Sequence, residues 1–126
     1  MSKPISVLVV DDDPFFLDLV VAGLEHFGEG EFSVRTAASL QAAYDCLDTG
    51  PVDICLIDYY LGTQLGDELV LALEGLQSGI PSILMTAYDL NELKDKADVS
   101  GAMAFMSKQS IKPATLAKDI RAAMAA

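Results

Sequence analysis

Five polar residues follow directly on apolar runs, and together their types could carry one chemistry. Asp11 and Asp12 close the run Ile5–Val10, Asp58 closes residues 52–57, Thr86 follows 81–85, and Lys108 follows 102–106 with Ser107 between. Three carboxylates brought to one cleft repel by on the order of 4 kcal/mol per close pair at an effective dielectric of about 20, so positive charge has to sit among them. An all-oxygen donor set suits a hard cation, and magnesium, which takes one or two carboxylates plus a phosphate, fits best. Lys108 would add a fixed ammonium. Phosphoryl transfer needs an in-line nucleophile, a cation and donors on the equatorial oxygens; Asp58, magnesium, Thr86 and Lys108 can fill those roles.

Such convergence depends on the elements that carry these residues. Ile5–Val10 is almost unbroken in β-formers and suits a strand buried on both faces. Asp13 can cap a first helix with Pro14 at its first position and Phe16, Leu19, Val20, Gly23, Leu24 and Phe27 at helical spacing, ending near Gly28 and Gly30. A short strand over 32–36 follows, then a helix capped by Ser39, with Leu40, Ala43 and Leu47 on one face, stopped by Gly50 and Pro51. The strand over 52–57 leads through a loop with Gly62 and Gly66 to a helix with Leu69, Leu73 and Leu76 inward. A fourth strand over 81–85 precedes a helix opened by Asp89 and Glu92 at capping-box spacing, with a thin apolar face of Leu90, Leu93 and Ala97. A fifth strand over 102–106 leads to a last helix from Pro113 with Leu116, Ile120, Ala123 and Met124 inward.

Strict alternation of strand and helix predicts an α/β fold: one doubly wound (βα)5 domain over residues 1–126, its five-stranded parallel sheet covered on both faces, with the short second and fifth strands at the edges. In such a sheet ligands bind beyond the carboxyl ends of the strands, where the five residues fall. Taken singly, each has a plainer reading. A triple aspartate before a helix is commonly a cap and a first turn favourable to the helix dipole, and a lone Asp, Thr or Lys after a strand is commonly a turn residue. Their joint placement at neighbouring parallel strand ends shifts the balance.

Composition narrows the function classes. The chain has 126 residues, 52% hydrophobic and 21% charged, the profile of one compact domain. Its net charge of −11 argues against direct nucleic-acid binding, which rests on clustered Lys and Arg. Residues 1–93 hold sixteen acids and two bases, whereas residues 94–126 hold three acids and six bases, so the C-terminal third is either a partner surface or ordinary solvated helix. No apolar stretch approaches the roughly 20 residues of a membrane span and no signal-peptide pattern opens the chain, which predicts a cytoplasmic protein. Cys46 and Cys55 have neither disulfide nor metal-site spacing and read as buried free thiols. Met85, Met103, Met106 and the aromatics of the first helix read as core, and His26 as solvated.

From Ile5 to Met124 the chain resembles the receiver domains of two-component response regulators, the CheY-like family. Residues 7–14, VLVVDDDP, are similar to the family's first strand and acidic pair; residues 53–58, DICLID, to the segment ending in its phospho-acceptor, with Gly66 at the family's glycine eight residues on. Thr86 and Ala87 resemble the switch threonine and its small neighbour, and Phe105, Met106, Ser107 and Lys108 the aromatic switch position and the lysine. The resemblance implies a flavodoxin-like sheet in the strand order 2-1-3-4-5, an aspartyl phosphate at Asp58, magnesium held by Asp11, Asp12, Asp58 and the backbone carbonyl of Tyr60, and switching through Thr86 and Phe105. Tyr60 and Tyr88, two residues beyond acceptor and threonine, occupy positions that in the family govern how freely water reaches the phosphoryl group.

The implied partners are a sensor histidine kinase or a histidine phosphotransfer protein, then a protein target on the face of the fourth helix, fifth strand and fifth helix; a phosphorylation-dependent homodimer is a further expectation. Three positions depart from the family: its proline four residues after the acceptor is Gly62, the next glycine is Thr63, and the proline after the lysine is Gln109. A non-proline cis bond costs about 2.5–4 kcal/mol, which favours a trans Lys108–Gln109 bond. Two other readings stand beside this one. A phosphohydrolase of the haloacid-dehalogenase type would close its first strand with DxDxT, where this chain has Phe15 in place of the threonine. A receiver-like adaptor would signal without phosphate, against which Asp58, Thr86 and Lys108 weigh.

Overall fold

The computed structural model describes residues 3–74, 79–97 and 102–125. Five strands, β1 (Ile5–Val10), β2 (Phe32–Ala37), β3 (Ile54–Asp58), β4 (Ser82–Thr86) and β5 (Ala104–Ser107), alternate with five helices, α1 (Pro14–Phe27), α2 (Leu40–Thr49), α3 (Asp67–Glu74), α4 (Leu90–Ala97) and α5 (Pro113–Ala125). The strands form one parallel sheet in the order β2-β1-β3-β4-β5.

Period-two alternation along the central strands divides the core. Val7, Val9, Ile54, Leu56, Ile83 and Met85 face α1 and α5, meeting Val20, Leu24, Leu116 and Ile120. Leu8, Val10, Cys55, Ile57 and Leu84 face the other way, meeting Leu40 and Ala43 of α2, Leu69, Val70 and Leu73 of α3, and Leu93 of α4. Because β1, β3 and β4 are covered on both faces, their apolar residues run almost unbroken, Ser6 near the start of β1 being the exception, and each fully buried Leu, Ile or Val contributes roughly 1.5–3 kcal/mol.

Register brings the strand ends together. Val10 pairs with Ile57, so Asp11 and Asp58 emerge side by side. Asp58 pairs with Met85 and Thr86 with Ser107, which sets Thr86 and Lys108 one step further along the same rim. The caps are local: Asp13 Oδ1 accepts from Phe15 N–H at 3.0 Å, Ser39 Oγ from Ala42 N–H at 3.1 Å, and Asp89 Oδ1 from Asn91 and Glu92 N–H at 2.8 and 3.2 Å. Arg35 on β2 closes the far end of α2, donating to the carbonyls of Cys46 and Pro51, both at 2.9 Å.

Several expectations change. The loop after β3 contains a small antiparallel hairpin, Tyr60–Leu61 against Gln64–Leu65, whose turn has Gly62 at φ +62° in its first position, a place a type II′ turn gives to glycine. Lys108–Ser110 forms a 3-10 turn that the sequence did not signal, while every described peptide bond, Lys108–Gln109 included, is trans, as the cost of a non-proline cis bond favours. β2 has six residues, as many as β1, yet lies at an edge. Phe15, Phe27 and Met103 are exposed where core was expected, and Cys46 is half-buried while Cys55 is fully buried. Phe15 lies in the first turn of α1, off the stripe by which Phe16, Leu19, Val20 and Leu24 pack on the core. Leu76 lies outside the described residues.

Gly66 joins fold to rim. A Cβ there would run into the backbone carbonyl of Asp58 and meet Ile57 Cγ2 at 2.8 Å, while the Gly66 N–H donates to Tyr59 O at 2.7 Å. Gly62 needs glycine for its positive φ alone, with open space around it. Denaturant unfolding is expected to show Gly66→Ala losing about 2 kcal/mol or more, through strain against fixed backbone, and Gly62→Ala losing about 1 kcal/mol. Equal losses would mean that the close approach at Gly66 carries no cost.

Candidate functional site

The rim gathers most of the residues singled out in the sequence. Asp11 is completely buried, with its N–H donating to Ala37 O at 3.0 Å and its Oδ1 accepting from Asp13 N–H at 2.9 Å. Its Oδ2 lies 2.5 Å from Lys108 Nζ. The same ammonium donates to Asp58 Oδ2 at 3.2 Å, so one positive group bridges the ends of β1 and β3. Asp58 Oδ1 accepts a long bond of 3.4 Å from Tyr60 N–H. Asp12 is exposed, yet one carboxylate oxygen from each of Asp11, Asp12 and Asp58 falls within 4.8 Å of the others. Lys108 is held by its 3-10 turn, which Ser107 caps by accepting from Gln109 N–H at 3.3 Å.

Charge balance follows from this geometry. Burial, reinforced by the negative charge of Asp11, pushes the Asp58 carboxyl up to about 6 from 3.8, against the pull of Lys108 and the Tyr60 N–H. Burial works against the Lys108 ammonium, but contact with Asp11 and the charges of Asp58 and Asp11 outweigh it and raise its pKa above the ordinary lysine value. The Lys108 side chain is 13% exposed, so water screens these interactions weakly.

The donor set fits magnesium. Among the described residues, Asp11 Oδ2 is buried against the Lys108 ammonium, and Asp11, Asp12 and Asp58 together offer a cluster of three carboxylate oxygens, a hard all-oxygen donor set. Asp12 supplies an oxygen at the solvent side.

Thr86 is buried at the end of β4 with its Oγ1 accepting from Tyr88 N–H at 3.0 Å. Tyr88 is 70% exposed, and its ring meets that of Tyr60 edge to face at 5.5 Å between centroids. The two rings, with Gly62 and Glu92, line a shallow cleft on the rim. Phe105 stands apart: it pairs with Leu84 on β5 and is half-buried against the core on the α2, α3 and α4 side. One neighbour escaped the sequence reading. The Phe16 ring lies under Lys108 Nζ, 4.6 Å from its centroid, whereas its helical spacing had marked it as core alone.

The model of the response regulator receiver domain family matches residues 7–121. Among curated proteins, the chain is 33% identical over 106 residues to the transcriptional regulatory protein GlrR of Escherichia coli (strain K12), covering 84% of this chain and 23% of that protein. It is 33% identical over 101 residues to the heme response regulator HssR of Staphylococcus saprophyticus, covering 80% of this chain and 43% of the relative. The chain thus spans less than half the length of these curated relatives. Among solved structures, a CheY-like response regulator receiver domain protein from Methanospirillum hungatei JF-1 superposes with a TM-score of 0.83 at 25% identity, covering 98% of this chain and 95% of that one. The chemotaxis response regulator CheY4 of Vibrio cholerae gives 0.80 at 24% identity, covering 96% and 99%, a likeness of fold. A family match along most of the chain, on a parallel sheet with the strand order that the resemblance implied, means that this protein belongs to the response regulator receiver domain family.

Proposed function

We propose that the chain, acting as one receiver unit over residues 1–126, accepts a phosphoryl group on Asp58 from a phosphohistidine of a sensor histidine kinase or a histidine phosphotransfer protein. The observation that carries this is the single ammonium of Lys108 spanning Asp58 and Asp11 at 3.2 and 2.5 Å. An Asp58 oxygen attacks phosphorus in line, the P–N bond breaks, and its electron pair stays on the departing imidazole. Lys108 offsets charge on the transferring oxygens, and the Thr86 hydroxyl, which accepts from Tyr88 N–H, still has its own proton to donate to them. Asp11, Asp12, Asp58 and the backbone carbonyl of Tyr60 would hold a magnesium ion, which when bound supplies further charge compensation on the phosphoryl oxygens.

Phosphorylation adds roughly −1.5 to −2 charges at a site already rich in acids, which gives Thr86 reason to move inward and Phe105 room to follow. Output then passes by protein contact through the face of α4, β5 and α5, to a protein target or a second copy of the chain, in a cytoplasmic setting and without direct nucleic-acid contact. Consistent with that setting, no described helix is long and apolar enough to cross a membrane.

Intact-mass measurement with acetyl phosphate and magnesium tests the acceptor: wild type is expected to gain one phosphate, Asp58→Asn none, and Lys108→Met to gain it at least about tenfold more slowly. Unmodified wild type would favour the adaptor reading instead. Because Tyr60 and Tyr88 flank the site, Tyr60→Ala and Tyr88→Ala are each expected to speed loss of that phosphate about two- to tenfold by opening a path for water; unchanged lifetimes would remove them from this role.

Asp58 also links stability to pH. Its folded pKa lies above the unfolded one, so its contribution is fully present below the unfolded value of 3.8 and is lost as pH rises through about 6. In metal-free buffer, the melting temperature of Asp58→Asn relative to wild type is expected to rise by a few degrees between about pH 5 and about pH 7. A difference independent of pH would show that Asp58 titrates as an ordinary carboxylate.

A further inference from the structure

We infer that Phe16 is a positioning residue for Lys108, a role that rests on the proposed phosphoryl transfer to Asp58. Among the described residues, the ammonium meets Asp11 Oδ2 at 2.5 Å, Asp58 Oδ2 at 3.2 Å, and the Phe16 ring at 4.6 Å to its centroid. The first two are anionic oxygens that draw it toward themselves. The third offers the negative face of an aromatic ring, which attracts a cation but takes no proton and binds no metal. Phe16 thereby stabilises the charged head group on its remaining side without competing for the hydrogen bonds that a phosphoryl oxygen would use.

The ring is suited to the task because it does not move freely. Phe16 stands in the first turn of α1, two residues after the Pro14 that starts the helix, and is half-buried against the core shared by α1, α5 and the sheet. Lys108 approaches from the opposite end of the sequence on a short 3-10 turn whose next residue is Gln109. The lysine's reach is thus limited from three sides: by its own turn, by the carboxylates of β1 and β3, and by a ring anchored in α1. With an aliphatic side chain at position 16 the ammonium would lose the third restraint and swing toward solvent, leaving Asp58 with a less constant partner.

The test is a double-mutant cycle on phosphate gain from acetyl phosphate with magnesium. Phe16→Leu, which keeps apolar volume, is expected to lower the rate at saturating acetyl phosphate about fivefold with little change in half-saturation, while Phe16→Tyr stays within about twofold of wild type. In a Lys108→Met background Phe16→Leu is expected to add nothing further. A wild-type rate in Phe16→Leu, or the same fivefold loss in both backgrounds, would overturn the inference. If wild type itself takes no phosphate, the reading of Asp58 fails, and the contact is judged by NMR: Lys108 side-chain protons shifted upfield by the ring in wild type and not in Phe16→Leu support it, and unshifted protons in wild type refute it.

Discussion

Like charges forced together at the ends of parallel strands are the constraint on which this molecule is built. The sheet's register brings the Asp11 and Asp58 carboxylates to one cleft, where burial removes the water that would otherwise screen them. An ammonium from the far edge of the sheet restores balance, and it comes from Lys108, fifty residues beyond Asp58. That bridge ties β1, β3 and β5 at one rim, although β1 and β5 are not neighbours in the sheet. It also leaves Asp58 partly uncompensated, with burial outweighing its partner, so the site keeps an unmet demand for positive charge.

The division of labour between sheet and loops follows from packing. Residues of β1, β3 and β4 are locked between two helical layers, and what they fix is the position of the three strand ends. Residues that follow those ends are freer to differ. Tyr60 and Tyr88 meet edge to face across the rim, and the Thr86 hydroxyl is engaged by the backbone of Tyr88, so the threonine and the exposed ring belong to one turn. A shift of the Thr86 hydroxyl alters the backbone partner that orients Tyr88, which couples the buried end of β4 to the surface cleft.

Much of this was legible in the sequence because the governing signals are local. The run Ile5–Val10, the cap at Asp13 with Pro14 behind it, and the cap at Ser39 each state a boundary within a few residues, and the alternation of elements states a parallel sheet covered on both faces. The strand-end positions of Asp11, Asp58, Thr86 and Lys108 then follow from topology. Features that depend on through-space packing were not legible. Helical spacing sets Phe16 on the apolar stripe of α1 and leaves Phe15, 83% exposed, off it, but nothing local signals that the Phe16 ring meets Lys108. The hairpin at Gly62 was masked because two-residue strands have no periodicity to read, and the turn at Lys108–Ser110 because family likeness pointed to a proline that Gln109 replaces.

The complete burial of β3 on both faces has a consequence for encounter. Among the described residues neither flank of the sheet offers a lateral route to the Asp58 carboxylate, since α1 and α5 cover one side and α2, α3 and α4 the other. Any reacting group must therefore arrive end-on, along the strand axis, through an aperture whose walls are the loops after β1, β3, β4 and β5. For the proposed transfer to Asp58, those loops would act by their size and stiffness as a sieve on the shape of the donor, while the interior sets only where the acceptor waits.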